Sequence, residues 1–173
     1  MIHNNKTIQY ALYNRSSGSP KFVGDTTTLT RPNLELLTDT ISGAGILGEI
    51  DMPTTAQLGS MTYEITLRKQ NDDAIALFEQ KTQEIEVRWA SDYVDSTTGN
   101  SSIIASKDII KGRPKSLSGG SIENNTPNDS TVVLEVLYIK HIQNGVTKYE
   151  IDKLNNVFII NGVDYGKIIR DNL

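Results

Sequence analysis

The sequence predicts a mainly β protein, an antiparallel β-sandwich or barrel with one or two short α-helices, and three observations carry that prediction. Ser60 to Lys69 alternates, with Met61, Tyr63, Ile65 and Leu67 on one face and Thr62, Glu64, Thr66 and Arg68 on the other, the period of a half-buried strand. Thr131 to Ile142 is long and largely apolar on both faces, Val132, Leu134, Val136 and Tyr138 alternating with Val133, Glu135, Leu137 and Ile139, as in a strand covered on both sides. It runs into Gln143-Asn144-Gly145, and Asn-Gly after such a run is a hairpin signal.

The remaining elements follow in chain order. Thr7 to Tyr13 alternates Ile8, Tyr10 and Leu12 against polar neighbours, and Asn14 to Pro20 supplies turn chemistry. Lys21 to Thr30 reads as a second strand returning as a hairpin. Arg31-Pro32 interrupts it, because proline lacks the ladder donor, and Asn33 to Ile41 resumes extended structure. Gly43 to Gly59 reads as a long loop. Asn71 or Asp72 caps a short helix whose apolar stripe is Ala74, Ile75, Leu77 and Phe78. Gln83 to Ser91 places Ile85, Val87 and Trp89 inward against Glu84, Glu86 and Arg88. Asp95 to Ser102 is a polar turn, Ile103 to Leu117 is extended but interrupted by Gly112 and Pro114, and Ser118 to Ser130 is a polar loop. Thr147 to Leu154 pairs back after the Asn-Gly turn, Asn155 to Asn161 adds a strand, and Gly162 to Leu173 predicts a C-terminal helix.

At 173 residues the chain suits one domain, 1–173. It has no cysteine, so neither a disulfide framework nor a thiolate metal site is available. A net charge of −4 argues against a protein that binds nucleic acid by neutralising phosphates, although passive contact with DNA is compatible with it. The first eight residues hold no apolar h-region and no window approaches the roughly 20 apolar residues of a membrane span, so a soluble product without membrane contact, intracellular at synthesis, is expected. The N-x-[ST] triplets at Asn14, Asn100, Asn124 and Asn128 then read as polar loops.

Catalytic chemistry finds little to stand on. Gly43-Ala-Gly-Ile-Leu-Gly48 fits G-x-G-x-x-G, but that motif needs its third glycine to open a helix whose amides hold pyrophosphate. Here Glu49-Ile-Asp-Met-Pro53 follows, placing two carboxylates and a proline where that helix would run. The pair Glu49 and Asp51 lacks EF-hand spacing and reads as loop-surface charge. Of the two histidines, His3 falls in an N-terminal arm expected to be disordered, and His141 reads as an ordinary strand residue without a nucleophile elbow near it. No catalytic residue, metal site or cofactor is expected. From the residues alone a structural subunit and a monomeric β-sandwich binding module for carbohydrate or peptide stand about equal, although such a module usually stacks aromatics, and here aromatics are 6% and Trp89 is assigned to a core face.

The run Thr38-Asp-Thr-Ile-Ser-Gly-Ala-Gly-Ile-Leu-Gly-Glu-Ile-Asp-Met-Pro53, followed by Gly59-Ser-Met61, resembles the major tail tube proteins of contractile-tailed phages, which carry T-x-T-I-S-G-A-G-I-x-G-E-x-D-x-P and then a G-S-M strand. The resemblance continues through Arg68–Asp73, Gly112–Lys115, Leu134–Lys140, Glu150–Lys153 and Asn161–Tyr165, covering about Tyr10 to Leu173. It implies a non-enzymatic virion-tail subunit whose hexameric rings stack into a hollow tube for DNA or effector passage, with long hairpins completing an intersubunit β-barrel. R-type bacteriocins, headless particles, have similar tubes. The partners implied are further copies of the chain, the tail sheath, a baseplate or initiator, the tail terminator and the tape-measure protein. Within that frame the apolar loop residues Ile46, Leu47, Ile50, Met52 and Leu58, with Gly43, Gly48, Glu49 and Asp51, are expected to pack on the next ring. Thr62, Glu64, Thr66 and Arg68 are expected to face the lumen.

Overall fold

The long apolar strand is the axis of the fold. The computed structural model describes residues 2–173, with the side chains of all but Asn4 and Asn5; Met1 lies outside the described residues. The strands are β1 (Ile2–Asn14), β2 (Lys21–Val23), β3 (Thr26–Thr30), β4 (Leu36–Ser42), β5 (Glu49–Leu58), β6 (Thr62–Leu67), β7 (Gln83–Asp95), β8 (Ser101–Ser118), β9 (Ser130–Gln143), β10 (Val146–Asp152), β11 (Val157–Ile160) and β12 (Val163–Asp164). The helices are α1 (Asp72–Leu77) and α2 (Lys167–Arg170). Along one edge β9 pairs with β8, and its other edge forks: the first half pairs with β6, Leu67 opposite Ser130 and Thr62 opposite Glu135, and the second half pairs with β10. All these pairings are antiparallel.

From β8 the sheet continues through β7 and β1 to β2, and from β6 it continues to β3. Gly24 and Asp25 join β2 to β3, with Asp25 at φ 58°. The circuit β2-β1-β7-β8-β9-β6-β3 is thus closed by a corner in the chain and not by a ladder between β1 and β3. The single strand expected over Lys21–Thr30 is therefore two, because the corner carries the chain from one side of the circuit to the other. Inside sit Leu12, Val23, Tyr63, Ile65, Leu67, Ile85, Val87, Ile110, Val132 and Leu134, all buried. Each such aliphatic side chain stabilises the fold by about 1.5–3 kcal/mol relative to exposure.

Alternation alone misplaces part of β9. Val132, Leu134 and Val136 are buried, but the next buried residue is Ile139, and Tyr138 lies on the half-buried side. Between Lys111 and Gly112 on β8 the partner on β9 jumps from Tyr138 to Val136, so Leu137 is an extra residue that reverses the faces, as a β-bulge does. Gly112 is required there, since a Cβ would lie 2.7 Å from the Glu135 carbonyl oxygen. The stretch expected to be irregular after Ile103 is one 18-residue strand that absorbs its proline at a second register shift, between Pro114 and Ser116.

The helix at residue 72 forms for the predicted reason: the Asn71 side chain accepts from the Ala74 N–H at 3.0 Å. Ala74 and Leu77 enter the core, while Ile75 is exposed, so the stripe is narrower than expected. Three further readings are corrected. His3 lies in β1, opposite Val94 of β7. Trp89 is only half-buried, whereas Glu86 on the supposed solvent face is buried, because Arg15 and Arg88 hydrogen-bond its carboxylate. The C-terminal helix is only four residues long and buries none of them.

Candidate functional site

Gly43 to Gly59 is not a loop. Glu49–Leu58 forms β5, which pairs with β4 as a separate two-stranded sheet, Ile41 opposite Ile50 and Thr38 opposite Pro53, and only residues 43–48 form the turn. Proline is tolerated because this ribbon has nothing but outer edges. Gly43, Gly45 and Gly48 take φ of 155°, 90° and 91° with open space around their Cβ positions, so the turn needs glycine for its backbone and not for close packing. The ribbon, hereafter the arm, buries almost nothing. Leu47 at its tip is fully exposed, and Leu37, Ile50 and Met52 are about half exposed; Glu49 and Asp51 on its flank are exposed, and Ile46 and Leu58 are partly covered. Asp51 accepts from the Thr40 hydroxyl at 2.6 Å.

The arm leaves the body between two charged anchors. On the entering side, Arg31 Nε donates to Asp108 Oδ2 at 2.7 Å, and its Nη2 donates to the Tyr149 hydroxyl at 2.7 Å. Asp108 is wholly buried, and His141 Nδ1 lies 2.7 Å from its Oδ1; a carboxylate only accepts, so the imidazole proton sits on Nδ1. Trp89 stacks on His141 with ring centroids 5.6 Å apart, and the Arg31 guanidinium lies 5.0 Å from the Trp89 centroid. On the leaving side, Lys153 Nζ donates to the Gly59 carbonyl at 2.6 Å, the Gly59 N–H donates to the Glu35 carbonyl at 2.9 Å, and the Ser60 hydroxyl donates to Glu135. Sequence reasoning missed this root. His141 does sit in a strand, but its partners Trp89, Asp108 and Tyr149 come from β7, β8 and β10, with Arg31 joining them from the residue after β3, and no spacing in the sequence announces that convergence.

The polar face of β6 joins a wider polar wall. Thr62, Glu64 and Thr66 are half-buried and Arg68 is exposed. Thr28 and Thr30 lie opposite Thr66 and Glu64 on β3, while Thr131 and Glu135 lie opposite Thr66 and Thr62 on β9. The Thr66 and Thr131 hydroxyls are 3.1 Å apart. Elsewhere, burial alone would raise the Glu86 carboxyl, but the hydrogen bonds from Arg88 and Arg15 outweigh it and hold the group below the usual carboxylate range. Burial, reinforced by the charge of Asp108, pushes the Tyr63 phenol well up.

With the arm and its root described, similarity to known proteins becomes informative. Residues 8–173 match the family described as phage tail tube protein FII. No curated protein sequence matches the chain. Among solved structures, a chain from an extracellular contractile injection system, described as the PVC sheath/tube terminator in the extended state, aligns with a TM-score of 0.51 at 12% identity, over 78% of this chain and 94% of that one. A chain from the 6-fold symmetrised baseplate of the anti-feeding prophage aligns at 0.40 and 14% identity, over 79% and 91%.

Proposed function

Because the chain belongs to the phage tail tube protein FII family, we propose that it is a structural, non-enzymatic subunit whose hexameric rings stack into the hollow inner tube of a contractile tail or a headless tail-like particle. The observation that carries this reading is the arm. A ribbon with Leu47, Ile50 and Met52 in solvent gains nothing from its own body, and burying two such side chains on a neighbour would supply about 3–6 kcal/mol per copy. In a ring that contact recurs at every protomer.

Ring closure asks for two different surfaces that meet head to tail. β2 ends one side of the sheet and β12 ends the other. Pairing such edges between copies removes an aggregation hazard. The β7–β8 and β9–β10 hairpins would then contribute to a barrel shared between subunits, with Thr62, Glu64, Thr66 and Arg68 on its lumen. A wall rich in threonine is hydrated without a strong basic field, which lets a polyanion pass without being held. Sheath, baseplate or initiator, terminator and tape-measure proteins are the partners of such a tube, DNA its passive cargo in a phage, and the virion tail its location.

Sedimentation and negative-stain microscopy of concentrated protein test the assembly: rings or tubes are expected, and a monomer at every concentration and salt, even beside a tube initiator, would overturn it. For the lumen, Thr62→Cys or Thr66→Cys introduces a lone thiol. Labelling should be much slower in tubes than in free protomers, and equal rates would place this face outside.

A further inference from the structure

The barrel circuit has a seam. Between β1 and β3, where the chain closes the circuit by its corner, the two strands are bridged by the Tyr10 hydroxyl, which donates to the Thr26 carbonyl at 2.7 Å. The side of β3 turned away from β6 has no strand partner among the described residues, and neither has the side of β1 turned away from β7 over residues 2–11. The seam encloses a cavity of about 410 Å³ whose lining includes Ile8, Tyr10, Leu29, Val87 and Trp89. Ile8 is about half exposed and Thr28, on the opposite bank, is exposed.

The charge around the seam is arranged in layers. Hollows on either side of Trp89 bring Lys6, Arg31, Arg88 and Lys107 around it, with Asp92 also at one rim. The carboxylates that pair with Arg31 and Arg88 are Asp108 and Glu86, and both are buried beneath them. The surface therefore shows these two guanidinium groups and hides the carboxylates that pair with them. The arm has the opposite character: from Asn33 to Leu58 it carries Glu35, Asp39, Glu49 and Asp51 and no lysine or arginine.

Resting on the tube reading above, we infer that the seam between β1 and β3 receives the tip of another copy's arm, with Leu47 entering the cavity over Leu29 and Val87 while Glu49 and Asp51 meet the cations around Trp89. The occupant has to be a second copy. From Leu36 at the root to Ser42 before the turn runs about 20 Å of extended chain, and the root is held by Arg31, which also lines the seam of the same copy. The glycines of the tip let its backbone approach strand edges that carry side chains on either bank. Unpaired edges on both sides of an apolar hollow leave backbone donors and acceptors that the exposed backbone of the turn can meet.

The chain has no cysteine, so a cross-link reports one contact. Assembled protein carrying Leu47→Cys with Ile8→Cys, and separately Leu47→Cys with Thr28→Cys, is oxidised and run under non-reducing conditions beside Leu47→Cys with Ile122→Cys, whose second site lies in an exposed loop. Cross-linked ladders should form about tenfold faster with the seam partners than with the control, since docking fixes a high effective concentration, and 1 M salt during assembly should lower the yield. Tubes that form normally but cross-link no faster at Ile8 or Thr28 than at Ile122 would overturn the seam as receptor and leave the tube reading intact. Protein that forms no assembly under any condition, with or without the cysteines, would overturn both.

Discussion

The arm and the body are both antiparallel β-structure, and they are stabilised in opposite ways. In the body, β6 and β9 put Met61, Tyr63, Ile65, Leu67, Val132 and Leu134 out of water, so side-chain burial holds the strands and hydrogen bonding fixes their register. The arm has the ladder without the burial: the ten-residue β5 pairs with β4, and nearly every side chain stays in solvent. An isolated two-stranded ribbon is marginal in water, so what fixes this one is its root, where Arg31, Asp108 and Lys153 hold both ends. The difference teaches that in this protein strand content does not measure stability; attachment to charged anchors does part of that work.

Breaking the anchor should have the largest effect. Asp108→Asn takes the charge out of its hydrogen bonds with Arg31 and His141, and a hydrogen bond to a charged group is worth about 1.5–3 kcal/mol; urea denaturation should show the loss of both, and a wild-type midpoint would mean that the cluster is not stabilising. Next comes Leu134→Ala in the body, expected to cost about 2–5 kcal/mol. Its counterpart, Ile46→Ser with Leu47→Ser on the arm, should leave thermal unfolding of the protomer within about 0.5 kcal/mol while abolishing tubes. Unfolding of that double variant would mean that the tip belongs to the core.

Smaller effects separate the anchors from the ladder. Asn71→Ala removes the cap of α1 and should cost about 1 kcal/mol by denaturation. Acid acts through Glu86: its carboxyl is held below its ordinary value in the folded protein, so its contribution is complete above the unfolded value of about 4.3 and is lost as pH falls through the lower, folded one. Glu86→Gln should therefore flatten that part of the stability profile below pH 4.3, and an unchanged acid limb would show that other carboxylates carry it.

The body was largely legible because its signals are local. The alternation of Met61 to Leu67, the Asn144-Gly145 turn, with both residues at positive φ, and the Asn71 cap each follow from a few neighbouring residues. The bulge at Leu137 escaped because it depends on where β8 shifts register, which only the paired strand reveals. Glu86 lies deeper than alternation predicts since Arg15, distant in sequence, reaches its carboxylate. The arm's strand character was hidden by glycines at the turn and a proline that a ribbon edge accommodates.

One consequence of the anchored root concerns shape at a distance. A filament built by copies that each hand an arm to the next multiplies any angular offset by the number of copies, so the direction in which Arg31 and Lys153 hold the arm would set twist and rise. Under the proposed assembly, Arg31→Lys keeps the charge but loses the guanidinium fork that grips Asp108 and Tyr149 together. Tubes of that variant would still polymerise, with altered or uneven helical parameters measurable by electron microscopy; unchanged twist and rise would show that something other than this root sets the direction.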